Sequence, residues 1–256
     1  MAASANRGPD FIIFGAQKSG TTSLYRYLIE HPRIAPASAK QVNFFSHDNY
    51  GRGVDWYISR FPSREPGVIS GEASPYYMFH PHAPRGISAF DPEVKLIAIL
   101  RNPVDRTYSH YQHQVRNDRE PLSFEEALER EEKRLAGEAE KMIEDGTYYS
   151  KVHRRHSYLA RSRYAEQLEV WLSLFPRERM LVLNSEALFE NPEPVLDAVT
   201  SFLGLSPLRL DAYNKHMPGS YREDMRPETR QMLVRYFRPR NRRLYELLGE
   251  RYPWDI

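Results

Sequence analysis

An open α/β sheet of parallel strands flanked by helices is the fold class this sequence predicts, and two observations carry it. Short apolar runs bounded by polar residues, such as Phe11 to Gly15, Val94 to Leu100 and Met180 to Leu183, alternate with helical patterns. Runs of that kind read as buried parallel strands joined by right-handed crossovers. At the end of the first run, Gly15-Ala16-Gln17-Lys18-Ser19-Gly20-Thr21-Thr22 turns tightly into an amphipathic stretch, so a strand feeds a helix through a glycine-bearing loop. With 256 residues, 41% of them hydrophobic, the chain suits one globular domain over 1–256, with 1–9 expected to be flexible.

Taken in order, the pattern predicts strand Phe11 to Gly15, helix Thr21 to His31, helix Val54 to Phe61, strand Val68 to Gly71, strand Val94 to Leu100 and helix Val104 to Asn117. Asn102-Pro103 starts that last helix, with Asn as cap and Pro at the first helical position. Beyond it the chain reads as helices Ser123 to Leu135, Tyr164 to Phe175, Pro192 to Leu203 and Pro227 to Leu248, with one more strand at Met180 to Leu183. Gly204 to Pro227 is the longest irregular stretch and a candidate lid or substrate loop.

The first loop is a phosphate cradle: backbone N–H groups at the start of such a helix, with its positive dipole end, hold phosphate oxygens. Gly15 and Gly20 have the G-x-x-x-x-G spacing of a nucleotide-triphosphate P-loop, but Thr21-Thr22 stand where that motif needs Lys-[Ser/Thr]. The lysine lies inside the loop, at Lys18, where a cation reaches the bridging oxygen of a 5′-terminal group. Nothing in the usual place holds the β- and γ-phosphates of a Mg-nucleotide. The expected ligand is a nucleotide that needs no metal.

In these residues the chain resembles the sulfotransferases that use 3′-phosphoadenosine-5′-phosphosulfate (PAPS), above all the heparan sulfate N-sulfotransferase domain and its bacterial relatives. The resemblance runs from about Phe11 to Trp254 and includes Asn49 to Tyr57, Tyr164 to Trp171 and Tyr245 to Trp254. It implies the sulfotransferase fold, a P-loop-like open parallel sheet, with Gln17, Lys18, Ser19, Gly20, Thr21, Thr22 and Ser23 around the 5′-phosphosulfate. A second element of the form L-R-N-P-x-x-R-x-x-S-x-Y stands here as Leu100 to Tyr111, and the resemblance makes Arg101 and Ser109 the ligands of the 3′-phosphate. A guanidinium fork suits phosphate oxygens, although Arg101 also lies within helical reach of Asp105. Tyr164 matches a tyrosine near the nucleotide and is equally suited to core packing. Lys18 is the expected cation on the leaving phosphate, since sulfuryl transfer, like phosphoryl transfer, rests on positioning and charge stabilisation.

The base departs from the family pattern. Where the resembled enzymes have K-E-x-x-F-F and use its glutamate, this chain has Lys40-Gln41-Val42-Asn43-Phe44-Phe45, and a glutamine accepts no proton. His113 matches a histidine near the acceptor and suits proton transfer near neutrality; it also fits a helix surface. Glu72, in Gly71-Glu72-Ala73-Ser74-Pro75, lies at a strand end and fits either a base or a cap or ion-pair partner; the N-sulfotransferases have lysine where Ala73 stands. Three readings of function follow: PAPS-dependent transfer to a hydroxyl or amine of a small-molecule or carbohydrate acceptor, with PAP as product; a PAPS- or PAP-binding protein without catalysis; and a P-loop small-molecule kinase, which the missing lysine after Gly20 disfavours.

Composition narrows the rest. The absence of cysteine excludes disulfides and thiolate chemistry, and His110 with His113, or His80 with His82, find no third ligand at metal-binding spacing, so no metal is expected. The first ten residues lack a charged and apolar leader, and no apolar run approaches ~18 residues, so a cytoplasmic enzyme without membrane or nucleic-acid partners is expected. Net charge is +2 but uneven: Glu125 to Asp145 has nine acids against four bases and reads as a solvated helix face, while Lys151 to Arg163 has five bases and Arg222 to Arg243 eight arginines. At least one basic stretch suits an anionic ligand. Phe44, Phe45, Tyr50, Trp56, Tyr57, Tyr76 and Tyr77 face either an acceptor or, for most of them, the core.

Overall fold

The computed structural model describes residues 8–46, 49–63, 65–214 and 224–254. Along the chain lie β1 (Phe11–Gly15), α1 (Thr21–Leu28), β2 (Ile34–Pro36), α2 (Val54–Ile58), β3 (Ile69–Glu72), α3 (Ala83–Phe90), β4 (Lys95–Leu100), α4 (Pro103–Arg116), α5 (Phe124–Leu135), α6 (Glu138–Glu144), α7 (Lys151–Arg155), α8 (Tyr164–Leu172), β5 (Met180–Asn184), α9 (Ser185–Glu190), α10 (Pro192–Leu203) and α11 (Pro227–Leu248). They divide into two units, Met1–Leu100 with Leu172–Pro218 and Arg101–Trp171 with Gly219–Ile256.

The first unit carries the sheet, five strands in the order β2-β3-β1-β4-β5, with every neighbouring pair parallel. β1 sits between β3 and β4, with Phe11 opposite Gly71 on one side and Lys95 on the other. A strand covered on both faces must be apolar at every position, and all five residues of β1 are buried. Alternate side chains divide between the faces. Phe11 and Ile13, with Ile97 and Ile99 of β4, pack against Leu24 and Leu28 of α1 and Leu196 and Val199 of α10. Because the strands are parallel, their C-terminal ends share one edge, and the strand order reverses at β1, with β3 and β2 on one side and β4 and β5 on the other; ligands of such sheets bind outside that edge.

The predicted strands and long helices are present with shifted ends: α1 stops at Leu28, α2 at Ile58 and α8 at Leu172. Several elements went unforeseen for local reasons. β2 has three residues and ends on Pro36, which only an edge strand tolerates. α3 contains Pro84 and Gly86, which read as breakers, yet a Cβ on Gly86 would come within 3.0 Å of the Phe45 ring, so close packing accounts for the glycine. α6, α7 and α9 have seven, five and six residues, too few to show a period. Residues 204–214 contain no helix or strand beyond the end of α10, while 215–223 of the expected lid lie outside the described residues. Of the leading segment, 1–7 lie outside them too; Gly8 and Pro9 are buried.

In the second unit Val104, Tyr108, Tyr111, Phe124, Leu128, Tyr158, Leu233 and Phe237 form the core. α4 begins as the sequence requires, with the Asn102 side chain accepting from Val104 N–H (3.0 Å) and Pro103 following. α5 opens on a capping box between Ser123 and Glu126. The acidic stretch is not simply a solvated face. Glu131 is buried and accepts from the N–H groups of Leu159 (2.7 Å) and Ala160 (2.8 Å), and Glu138 is buried against Ser150. Nor is the basic stretch all surface, since Arg161 is buried and donates to the carbonyls of His153 (3.1 Å) and Arg154 (2.9 Å). Among the described residues no helix is long and apolar enough to cross a membrane, and no cluster of three or more His, Asp or Glu side chains is placed to hold a metal ion.

Candidate active site

The loop after β1 has the features of an anion cradle. Gly20 caps α1 at φ 96° and, as a glycine, offers no capping side chain to the N–H groups of the first turn. A Cβ on Gly20 would meet the Phe189 ring at 3.0 Å, so glycine is required both by conformation and by space. Lys18 also has positive φ, 73°, a conformation that costs an ordinary residue energy and marks functional loops. Ser19 is fully buried, and its hydroxyl has no hydrogen-bond partner among the described residues. A buried hydroxyl without a partner among the described residues, beside the start of a helix, fits phosphate or sulfate oxygens. Gln17 and Lys18 are partly exposed. The loop is tied to the sheet by Ala16 N–H, which donates to the Ile99 carbonyl (2.9 Å).

The second element belongs to the other unit and follows directly on β4. Arg101 is partly exposed, and its carbonyl accepts from the Tyr164 hydroxyl (2.9 Å). Tyr164 is buried and packs near Trp254 (6.1 Å between rings), so it both fills the core and braces the Arg101 main chain. Asp105 pairs with Arg230, so the alternative of an Arg101–Asp105 ion pair is without support. Ser109 is buried on α4, and His113 lies one turn further along, partly exposed. Arg106, on the same helix, is a structural cation: fully buried, it donates to Ser162 Oγ (2.6 Å) and the Tyr158 carbonyl (2.7 Å). His110 and His80 are buried as well.

Glu72 ends β3, next to the strand that carries the phosphate loop. It is fully buried and accepts four hydrogen bonds: from Val42 N–H (3.0 Å), Tyr57 Oη (2.8 Å), Ser74 Oγ (2.5 Å) and Tyr77 Oη (3.2 Å). Burial raises its carboxyl above the usual range, and the four donors pull it back. Both oxygens are engaged, so Glu72 has the geometry of a structural clamp and not of a base open to an acceptor. What it clamps is the segment of interest. With Ser74, which accepts from Asn43 N–H (3.0 Å), and Ala73, whose N–H donates to the Lys40 carbonyl (2.8 Å), it fastens Lys40 to Asn43 onto the strand end. Gln41 is left exposed. Phe44, Phe45, Tyr57, Tyr76 and Tyr77 are buried, whereas Tyr50 is exposed and Trp56 is partly exposed beneath Arg52 (4.8 Å) and Arg60 (4.9 Å).

A parallel sheet whose central strand runs through a glycine-bearing loop into a helix defines an α/β protein of P-loop-like architecture. The chain belongs to the sulfotransferase family: residues 8–236 match the sulfotransferase domain. It is 34% identical over 216 residues to the human bifunctional heparan sulfate N-deacetylase/N-sulfotransferase 3, a match covering 79% of this chain and 23% of that protein. To the human heparan sulfate glucosamine 3-O-sulfotransferase 5 it is 29% identical, over 96% of this chain and 74% of that protein. A sulfotransferase structure from Alicyclobacillus acidocaldarius superimposes with a TM-score of 0.76 at 32% identity, covering 95% of this chain and 97% of the other. The chain spans about a quarter of the length of the bifunctional relatives it matches.

Proposed function

We propose that the protein transfers a sulfuryl group from PAPS to a hydroxyl or amine of a small-molecule or carbohydrate acceptor and releases PAP, without a metal. The observation that carries this reading is a cradle with its lysine inside the loop and no lysine after Gly20, in a chain of the sulfotransferase family. The heparan sulfate enzymes among its relatives support a carbohydrate acceptor. PAPS supplies, when bound, an activated sulfuryl group whose leaving group is a phosphate. Lys18, with the first N–H groups of α1 and the Ser19, Thr21, Thr22 and Ser23 hydroxyls, holds the 5′ end and stabilises charge developing on the leaving oxygen. Arg101 and Ser109 hold the 3′-phosphate, and Tyr164 fixes the Arg101 backbone. Gln41 hydrogen-bonds the acceptor, Glu72 positions the Gln41 segment, and His113 is a candidate for handling its proton.

A second reading, nucleotide binding without transfer, is favoured by one observation, the amide at Gln41. Sulfate transfer from labelled PAPS over a panel of sugar, amine and phenol acceptors separates the two. Transfer to any acceptor supports the enzyme; tight PAP binding with none supports the binder.

A further inference from the structure

The two basic stretches of the sequence meet within the second unit, where Arg163 of the first donates to Tyr236 of the second (2.9 Å). α11 carries six arginines against two acids, Glu228 and Glu246, which stand near its ends. Three of the six have partners. Arg230 pairs with Asp105, Arg243 holds both oxygens of Glu169 (2.7 and 2.6 Å), and Arg240 donates to the Tyr236 carbonyl (2.6 Å). The other three, Arg235, Arg238 and Arg242, are exposed and have no hydrogen-bond or ion-pair partner among the described residues. At positions i, i+3 and i+7 they form one row on the outward face, about 10 Å long at a rise of ~1.5 Å per residue. Like charges at that spacing weaken a helix. α5 avoids the penalty by setting Glu126 four residues before Arg130 and Glu129 four before Lys133. α11 keeps its row without neutralising acids, which suits a face whose counter-charge comes from outside the molecule.

On the flank of α11 that carries Arg240 and Arg243, a groove of about 350 Å³ runs against α8, lined by Arg163, Ala165, Glu166, Pro239, Arg240 and Arg243. Tyr236 holds two of its cations in place: the hydroxyl accepts from Arg163, and the ring lies 3.8 Å beneath the Arg240 guanidinium. Glu166 meets Arg163 at 4.0 Å, a loose contact that leaves most of the fork open. The composition of this face narrows the partner. Docking on a bilayer needs apolar side chains to bury, and α11 exposes one large one, Met232. Single-stranded nucleic acid needs rings on which bases stack, and the nearest ring, Tyr236, is already covered by Arg240. Guanidinium forks match sulfate and carboxylate groups two oxygens at a time. A chain that carries such groups on a backbone without bases meets all three conditions.

We propose that the outward face of α11, with Arg163 from the residue before α8, is a docking track for an anionic polysaccharide bearing sulfate or carboxylate groups. The inference deepens the reading of the protein as a sulfotransferase with a carbohydrate acceptor and rests on it. Arg235, Arg238 and Arg242 grip the chain along the row, and Arg163 and Arg240 take the group that enters the groove. None of the five belongs to the residues that hold the nucleotide or carry out transfer.

Fluorescence anisotropy with labelled dextran sulfate and labelled alginate, a uronate chain, over a series of sodium chloride concentrations measures the docking without any nucleotide. Both charged polymers should bind, neutral dextran should not, and affinity should fall as salt rises. The triple variant Arg235→Gln/Arg238→Gln/Arg242→Gln removes only exposed charge. It should bind both polymers about tenfold or more weakly and lower the slope of log K against log salt by about 2–3, while its circular dichroism and its stabilisation by PAP stay those of the parent. No binding of either charged polymer at low salt, or an affinity and slope unchanged in the triple variant, overturns the proposal and leaves PAPS-dependent transfer intact. So does tighter binding of a single-stranded oligonucleotide or of anionic phospholipid vesicles at equal total charge. A parent protein that PAP does not stabilise and that transfers no sulfate removes the underlying reading, and this inference with it.

Discussion

Replacing Glu72 by alanine removes the acceptor of four buried donors, one of them the Val42 backbone N–H, which cannot turn to another partner. Each buried donor left unsatisfied costs about 1–3 kcal/mol, so four set a range of about 4–12 kcal/mol. Water entering the space vacated by the carboxylate re-satisfies some of them, which places the expected loss near the lower end, about 4–6 kcal/mol. That is a large share of a total of about 5–15 kcal/mol. Glu72→Gln is milder, because its oxygen still serves Val42 while the Tyr57 and Tyr77 hydroxyls rotate to accept from its NH₂; about 1–3 kcal/mol is expected. The pH dependence has a definite sign. Burial raises the folded-state pKa of Glu72, so between about 4.5 and that raised value the folded protein binds more protons than the unfolded chain. The group's contribution to stability therefore falls as pH rises through that interval, and Glu72→Gln removes the slope. Urea unfolding followed by circular dichroism measures the losses, and turnover of Glu72→Gln should stay within about tenfold of the parent, against the ~10²–10⁴-fold that removing a catalytic base costs. An alanine variant less than about 1 kcal/mol weaker than the parent, or a glutamine variant of parental stability whose turnover has collapsed, would refute the clamp.

Lys18→Ala should lower the sulfuryl-transfer rate by ~10²-fold or more while weakening PAP binding far less, measured by single turnover and by calorimetry, because the cation acts on charge that grows in the transition state. Arg101→Ala should show the reverse, a loss concentrated in PAP affinity. Gly20→Ala places a side chain at φ 96° and within 3.0 Å of Phe189; a cost of about 1–2 kcal/mol and a Tm lower by about 2–8 °C are expected in a thermal melt, with PAP stabilisation lost. His153 is held down to about 3 by burial and by Arg161, so the unfolded chain binds the extra proton as pH falls below about 6.5; stability should drop toward pH 3 by up to ~1.4 kcal/mol per pH unit, and His153→Gln should flatten the slope in urea titrations.

What the sequence discloses here follows the reach of its physical signals. β1, β4 and α4 are legible because a buried parallel strand must be apolar throughout and because Asn102-Pro103 fixes a helix start. The cradle is legible because glycine at positive φ and a helix start leave a spaced pattern. β2 and α3 are hidden because Pro36, Pro84 and Gly86 read as breakers until the neighbours that accommodate them, an edge position and the Phe45 ring, are in place. The role of Glu72 depends on Tyr57, Ser74, Tyr77 and Val42, brought together by folding from as far as 30 residues away, and no local period marks such a cluster.

Sulfate transfer to acceptor from PAPS labelled in the sulfuryl group, run without divalent metal beside a thermal shift with PAP and with Mg-ATP, tests the central claim most directly. Stabilisation by PAP in the absence of metal, with label appearing on at least one acceptor and falling by ~10²-fold in Lys18→Ala, is the expected result. Stabilisation by Mg-ATP alone, with no label transferred, would contradict it.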